Sequence, residues 1–300
     1  MHLDMRITGT TKLTGLIGNP VEHTVSPVLH NSLFNAMGIN GVYVPLRVHT
    51  GNLKDAVRGL KASEFIGFNV TIPYKEEILE YVDEVSEEVK QLGTANTVKI
   101  VNGKLYGFNT DADGFVRAFQ NQTGTSFKQK CVCVLGAGGT AKALSVKIAM
   151  EGASKVNIIN RTVSRAIELA EVVNKALANS GCSETAAFPY SLGTVEVNQL
   201  LSSCDIIVNT TSAGMHPDID SSPVQQDFNF NSRQIVYDVI YNPAITKLLA
   251  NAKACGCKTF NGAGMLFYQG LRAFEIWMDT TVPNKISTDL SAEFFKYLEA

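Results

Sequence analysis

Residues 131–165, CVCVLGAGGTAKALSVKIAMEGASKVNIINRTVSR, constrain the fold more tightly than any other stretch of the chain. They open with an apolar run, Cys131-Val132-Cys133-Val134-Leu135, of the length and composition of a buried parallel strand. Gly136-Ala137-Gly138-Gly139-Thr140-Ala141 follows at once and satisfies the G-x-G-x-x-G/A spacing. Ala141, Leu144, Ile148 and Ala149 recur at helical spacing, and Gly152 stops the helix before a second apolar run at 156–159. In such a unit the first glycine permits a tight turn and the second lets the backbone approach a pyrophosphate. The small third residue lets helix and strand pack closely, and the helix N-terminus faces the anion. A glycine triplet alone is a weak signal. A strand before it and a helix after it make the stretch a dinucleotide-binding unit.

The end of the second strand selects the dinucleotide. Where an acidic residue about 20 positions on would hold the ribose 2′-hydroxyl of NAD, this chain has Asn160, then Arg161, Thr162 and Arg165. A carboxylate repels a 2′-phosphate, whereas an amide, a hydroxyl and two guanidinium groups accommodate it, and Arg also stacks on a base. Thr162 is placed to cap the next helix. The cofactor reading is NADP, set against an ordinary exposed polar turn.

At 300 residues the chain is too long for one typical core, which predicts two domains. Its 45% hydrophobic and 18% charged residues describe a soluble globular protein, and a formal net charge of -2 argues against a nucleic-acid surface. No apolar run approaches the ~18 residues of a membrane span, and the N-terminal stretch lacks a signal-peptide core, so a cytoplasmic location is expected. Six cysteines include the pairs Cys131/Cys133 and Cys255/Cys257. Cys-x-Cys on a strand turns both thiols to one face, which suits packing, and it lacks the usual zinc spacing. No metal is expected.

Ahead of the dinucleotide unit, strands are expected at 12–18, 42–48 and 65–72, alternating with helices from Ser26-Pro27 and over 52–61. Ser26 suits the N-cap and Pro27 the first helical position, and hydroxyls with amides at a helix start also form an anion pocket. The third strand runs into Asn69-Val70-Thr71-Ile72-Pro73-Tyr74-Lys75, at the carboxyl end where open α/β sheets bind ligands. Lys75 opens an acidic helix at 76–81 and opposes its macrodipole, a local fault of the kind that marks a functional position. A hairpin over 97–101 and 104–108 turns at Asn102-Gly103. Asn96 precedes it, and Asn109-Thr110-Asp111-Ala112-Asp113-Gly114 follows. That last run imitates a calcium loop but carries Gln120 where a bidentate Glu is required, so Asp111 reads as a helix-flanking carboxylate. The change of domain falls within about 111–129, and further strands are expected near 186–190, 205–208, 235–240 and 258–260. Thr210, at the end of the fourth strand of that domain, would lie along the cofactor. Asn261-Gly262-Ala263-Gly264 opens a helix with Met265 and Gln269, and a last helix near 290–298 returns to the first domain.

The segments GNPVEHTVSPVLHN, GFNVTIPYK, GTANT, GFNTDADG, LGAGGTAKA, INRTVSRA, NTTSAGM, YNPAITKLL and GAGMLFYQG, in that order, resemble the shikimate dehydrogenase family over nearly the whole chain. The resemblance implies an N-terminal α/β substrate domain made of residues 1–111 and 262–300. It also implies a doubly wound Rossmann-type NADP domain at 112–261, with the active site in the cleft between them. The implied reaction is reversible reduction of 3-dehydroshikimate to shikimate by NADPH in aromatic amino-acid (chorismate) biosynthesis, by a monomer or homodimer. Carried over position by position, Lys75 and Asp111 are the implied catalytic pair. Asn69, Thr71, Asn96 and Gln269 would contact the substrate ring, Ser26 with Thr24 its carboxylate, and Tyr241 would close the site. Gly136, Ala137, Gly138, Gly139, Thr140, Asn160, Arg161, Thr162, Arg165, Thr210, Gly262 and Met265 form the implied cofactor set. One departure stands out, because the family usually carries serine at both hydroxyl positions and here the first is Thr24. Its methyl stiffens the side chain and narrows the pocket, which bears on shikimate against quinate. The run at 160–162 counts against NAD-using relatives, and a non-catalytic NADP sensor would have no need of an ammonium–carboxylate pair.

Overall fold

Two six-stranded sheets organise the chain. The computed structural model describes residues 7–181, 185–225 and 228–299. Its contacts divide the chain into two compact units, Met1–Gly114 with Phe267–Ala300, and Phe115–Leu266.

The first unit begins β1 (Lys12–Gly18), α1 (Ser26–Ala36), β2 (Gly41–Arg47), α2 (Leu53–Ala62) and β3 (Gly67–Val70). A short 3-10 helix (Glu77–Glu80), β4 (Glu84–Val85) and α3 (Glu87–Leu92) lead to the hairpin β5 (Thr97–Val101) and β6 (Lys104–Phe108), then to α4 (Asp111–Thr123). The sheet order is β2-β1-β3-β5-β6-β4, with β1 parallel to β2 and β3 and the hairpin antiparallel to β3. Helix α2 illustrates the local logic: Leu53, Val57 and Leu60 recur on one face, and that face is buried. They join Ile17, Phe68, Val70, Tyr74 and Val98 in one core. The hairpin turn is made by Asn102 at φ 51 and Gly103 at φ 74, the double positive φ that the Asn-Gly pair favours.

The second unit contains β7 (Cys131–Leu135), α5 (Gly139–Met150), β8 (Lys155–Asn160), α6 (Val163–Ser180), β9 (Ala186–Ser191) and α7 (Val195–Ser203). It continues with β10 (Ile206–Asn209), β11 (Ile235–Asp238), α8 (Lys247–Ala254) and β12 (Lys258–Phe260). Every pairing is parallel, and the order β9-β8-β7-β10-β11-β12 reverses direction at the β7/β10 boundary. This is the dinucleotide-fold order, in which ligands sit outside the carboxyl ends of the strands at the switch point. Cys133, Cys204 and Cys257 pack with Leu135, Ile207 and Leu248 as small apolar groups. All five described cysteines are free thiols, Cys182 lies outside the described residues, and no group of metal-binding side chains occurs among the described residues.

Helices α9 (Ala263–Met278) and α10 (Asn284–Glu299) end the chain, with α10 packed on α1. The division between units falls inside both α4 and α9. The sequence boundaries, 111/112 and 261/262, lie at the starts of the same two helices.

Candidate functional site

Lys75 and Asp111 are joined in the first unit. The Lys75 ammonium donates to Asp111 Oδ2 at 2.6 Å, and the two side chains are 35% and 17% exposed, enclosed but reachable. The turn after β3 is anchored at both ends, since Thr71 N donates to Ile17 O at 3.0 Å and Ala95 N donates to Lys75 O at 2.8 Å. Between them Tyr74 is fully buried and donates its hydroxyl to Val48 O at 2.9 Å. Lys75 therefore stands on a fixed turn. It precedes the 3-10 helix rather than lying in its first turn, so the macrodipole argument drawn from an expected helix at 76–81 does not hold. Four residues of 3-10 geometry carry little aligned dipole.

Asp111 is the first residue of α4, where a carboxylate complements the helix N-terminus. Its amide donates to Asn109 Oδ1 at 3.1 Å, and Asn109 is tied in turn to Thr94. Asp111 Oδ1 accepts from Asn96 Nδ2 at 2.9 Å. Asn96 itself is buried and spends every polar atom internally. Its other amide proton goes to Thr110 Oγ1 at 3.0 Å, and Oδ1 accepts from Thr110 N at 2.8 Å and Thr97 Oγ1 at 3.0 Å. Asn96 thus orients Asp111. Asn69, on β3, gives both amide protons to Asn96 O at 3.1 Å and Thr97 Oγ1 at 3.0 Å, and its Oδ1 accepts from the Tyr43 hydroxyl at 2.8 Å.

Ser26 does not cap α1. The N-cap position is Val25, and the Ser26 hydroxyl instead accepts from Thr24 Oγ1 at 3.1 Å while Ser26 N donates back to Thr24 Oγ1 at 3.3 Å. The Tyr43 hydroxyl donates to Asn69 Oδ1 at 2.8 Å. Thr71 is half-buried on the anchored turn. Gln269 lies on α9 against the first turn of α4, where a Cβ on Gly114 would stand 2.5 Å from Gln269 N. Only glycine admits that approach. Tyr241 follows β11 in the second unit, half-buried, with burial pushing its phenol pKa up.

The second unit carries the glycine turn. Gly136 has φ +110, and a Cβ there would stand 2.6 Å from Thr210 Oγ1, which donates to Leu135 O at 2.6 Å. Gly138 is the N-cap of α5, and at Gly138 and Gly139 a Cβ would meet nothing within 4 Å. The first turn of α5 has no acidic residue. Ala137 and Thr140 flank this open backbone, which fits a pyrophosphate at a helix N-terminus. Asn160 ends β8, and Arg161, Thr162 and Arg165 are exposed beyond it with neither arginine ion-paired to a described residue. Thr162 occupies the N-cap of α6, yet its side chain makes no cap bond, and its carbonyl instead accepts from Asn160 Nδ2 at 2.9 Å. Gly262 packs against the Val239 backbone, and Met265 is half-buried in the first turn of α9.

Two groups escaped the sequence reading. Tyr43 carried the signal that a buried tyrosine needs a partner for its hydroxyl. Asp238 ends an apolar strand, and it accepts from Asn209 Nδ2 at 3.0 Å, Ile240 N at 3.1 Å and Thr246 Oγ1 at 2.7 Å. Burial raises its pKa to about 6 against those three hydrogen bonds. It ties the loops after β10 and β11 together.

A parallel sheet in dinucleotide order, an open glycine turn and a separate α/β unit bearing a lysine–aspartate pair define an oxidoreductase of two α/β units that works with a nicotinamide dinucleotide. Residues 16–98 match the shikimate dehydrogenase substrate binding domain and residues 118–243 match shikimate / quinate 5-dehydrogenase. A shikimate dehydrogenase (NADP(+)) of Alkaliphilus oremlandii is 39% identical over 277 residues, 92% of this chain and 95% of that one. A crystal structure of a shikimate dehydrogenase in complex with NADP+ superposes with TM-score 0.83 at 38% identity, covering 96% of this chain and 97% of its own. A quinate dehydrogenase from Corynebacterium glutamicum in complex with NAD gives TM-score 0.84 at 29% identity, covering 95% and 99%. The chain belongs to the shikimate dehydrogenase family.

Proposed function

We propose that the protein interconverts 3-dehydroshikimate and shikimate with NADP, as a step of aromatic amino-acid biosynthesis. The observation that carries this reading is the Lys75–Asp111 pair, 2.6 Å apart and held by a buried network at the carboxyl end of β3. When bound, the nicotinamide supplies or accepts the hydride. Lys75 donates a proton to the oxygen of the ring ketone as it gains charge, and its ammonium stabilises that oxygen. Asp111 holds Lys75 in place, and Asn96 works through Asp111 rather than on the ring. Asn69, whose Oδ1 already takes the Tyr43 hydroxyl, accepts a hydrogen bond from a ring hydroxyl. Thr71 and Gln269 line the ring, and Thr24 and Ser26 hold the carboxylate through hydroxyl and helix-start amides, with Tyr241 a further substrate-contacting residue.

On the cofactor side, Gly136, Ala137, Gly138, Gly139 and Thr140 take the pyrophosphate. Asn160, Arg161, Thr162 and Arg165 take the 2′-phosphate, and Thr210, Gly262 and Met265 line the remaining cofactor surface. Two exposed arginines where an acidic residue would serve NAD favour NADP. A second reading, turnover of quinate beside shikimate, is favoured by the methyl of Thr24. No helix of the described residues is long and apolar enough to cross a membrane, and a cytoplasmic monomer or homodimer belongs to the same proposal. The test is direct: the purified protein is mixed with NADP+ and shikimate, and reduced-nicotinamide absorbance is followed against NAD+ and quinate controls. Shikimate-dependent reduction of NADP+ is expected, and none with any of these pairs refutes the reading.

A further inference from the structure

Tyr43 lies at the buried end of a hydrogen-bond chain that reaches the proposed proton donor. Its hydroxyl donates to Asn69 Oδ1 at 2.8 Å, Asn69 Nδ2 to Thr97 Oγ1 at 3.0 Å, and Thr97 Oγ1 to Asn96 Oδ1 at 3.0 Å. Asn96 Nδ2 then donates to Asp111 Oδ1 at 2.9 Å, and Lys75 closes the chain on Oδ2. Every donor from Tyr43 onward points toward Asp111. The phenol is held as firmly as a side chain can be. Its ring is 1% exposed and stacks on His30 at 4.2 Å and 14°, with Trp277 at 6.0 Å. Its backbone is clamped by Asn31, which accepts from Tyr43 N at 2.8 Å and donates to Tyr43 O at 3.1 Å. Burial pushes the phenol pKa far above its ordinary value, so the hydroxyl stays a donor at every working pH.

We infer that Tyr43 is a positioning residue for substrate recognition, fixing the Asn69 amide so that it presents a single acceptor lone pair to a ligand hydroxyl. An amide offers two donors and two lone pairs. Here both donors are spent on Asn96 O and Thr97 Oγ1, and one lone pair is spent on Tyr43. What remains accepts a hydrogen bond and cannot give one. A ring hydroxyl satisfies it and a ring carbonyl does not, so the site discriminates a hydroxylated carbon from a keto carbon at that position.

This inference rests on the functional reading above, and the test separates the two. Tyr43→Phe keeps the ring and its stack on His30 and deletes one donor. Shikimate KM should rise about 3- to 10-fold, the factor of one neutral hydrogen bond, with kcat changed much less and NADP+ Kd unchanged. In an Asn69→Ala background, Tyr43→Phe should raise KM no further, because the group it acts through is gone. A packing role alone would instead give additive losses, and that result overturns the inference. Thr97→Val releases the same amide from its other side and should raise KM as well, which keeps the idea testable should Tyr43→Phe fold poorly. An unchanged KM in folded Thr97→Val or Tyr43→Phe also overturns it. Lys75→Met is run in parallel: undiminished kcat there defeats the functional reading, whereas normal KM in Tyr43→Phe beside a dead Lys75→Met defeats only the role of Tyr43.

Discussion

His30 should make the first unit lose stability in mild acid. The imidazole is 0% exposed, stacked on Tyr43 and 5.1 Å from Trp277, and neither ring nitrogen has a hydrogen-bond partner. Burial, offset only in part by the neighbouring Asn69 side chain, lowers its pKa from 6.5 to about 3. The folded protein therefore keeps His30 neutral where the unfolded chain protonates it. Below pH ~6.5 the unfolded state binds more protons, so stability falls as pH falls, and the loss is complete only near pH ~3. Between pH ~7.5 and ~5 the loss amounts to about 2 kcal/mol, a large part of an ordinary domain's stability. The chain has one tryptophan, Trp277, which lies in the first unit beside His30, so its fluorescence reports the right transition. Urea unfolding would be followed by that signal across the pH range for the native sequence and for His30→Phe, which keeps a ring on Tyr43. The difference between the two proteins should shift by about 2 kcal/mol in favour of the variant as pH falls across this window. A pH-independent difference would show that the imidazole titrates in place, and the reasoning from burial would be wrong.

Asp238 should act with the opposite sign in the second unit. Its folded pKa of about 6 lies above the ordinary 3.8, so its contribution is present at low pH and is lost as pH rises through about 6. Asp238→Asn should remove that slope, worth about 1.4 kcal/mol between pH ~5 and ~7.5, in urea unfolding followed by far-ultraviolet circular dichroism. Lys75→Met should lower kcat by ~10²–10⁴-fold with a far smaller change in shikimate KM, measured by steady-state kinetics on protein shown to be folded. Arg161→Ala should weaken NADP+ by ~1.5–3 kcal/mol and NAD+ much less, read by fluorescence titration with both cofactors. Thr24→Ser should change the ratio of shikimate to quinate turnover and leave NADP+ affinity alone, since a methyl-sized change in a pocket is worth ~1–3 kcal/mol.

The dinucleotide unit was legible because its signals are local. An apolar run, a glycine turn and a helical stripe follow one another within residues 131–150, and β7 with α5 forms there. The Asn102-Gly103 hairpin was legible for the same reason, since two residues with positive φ fix both strands. Capping was read less well. Whether Ser26 or Val25 precedes the first helical turn depends on one pair of dihedrals, and Thr162 occupies a cap without making its bond. Lys75 was singled out on a helix that is only a 3-10 turn, though it does stand against Asp111. Which amides face a ligand was beyond the sequence. Asn69 and Asn96 look alike in one dimension, and the difference lies in Thr97, Thr110 and Tyr43, brought to them by strand pairing. His30 was illegible too, because a histidine on an apolar helix face gives no sign of how completely it is enclosed.

Counting hydrogen-bond capacity assigns the chemistry more sharply than proximity does. Asn96 has none to spare, and Asn69 keeps one lone pair. Thr97 Oγ1 has its single proton on Asn96 and accepts from Asn69. Asp111 offers only acceptors, one oxygen facing Asn96 and the other Lys75. An ammonium has three protons, and in this network one of Lys75's is directed at Asp111. Lys75 is therefore the member of the chain able to give a proton to a ketone oxygen without breaking a buried bond elsewhere. Replacing it with a neutral side chain would leave the reaction without its acid and Asp111 Oδ2 without its ammonium, the Asn96 bond to Oδ1 still in place, while replacing Asn96 would disturb Asp111 first and Lys75 through it. The network thus separates the group that reacts from the groups that hold it still.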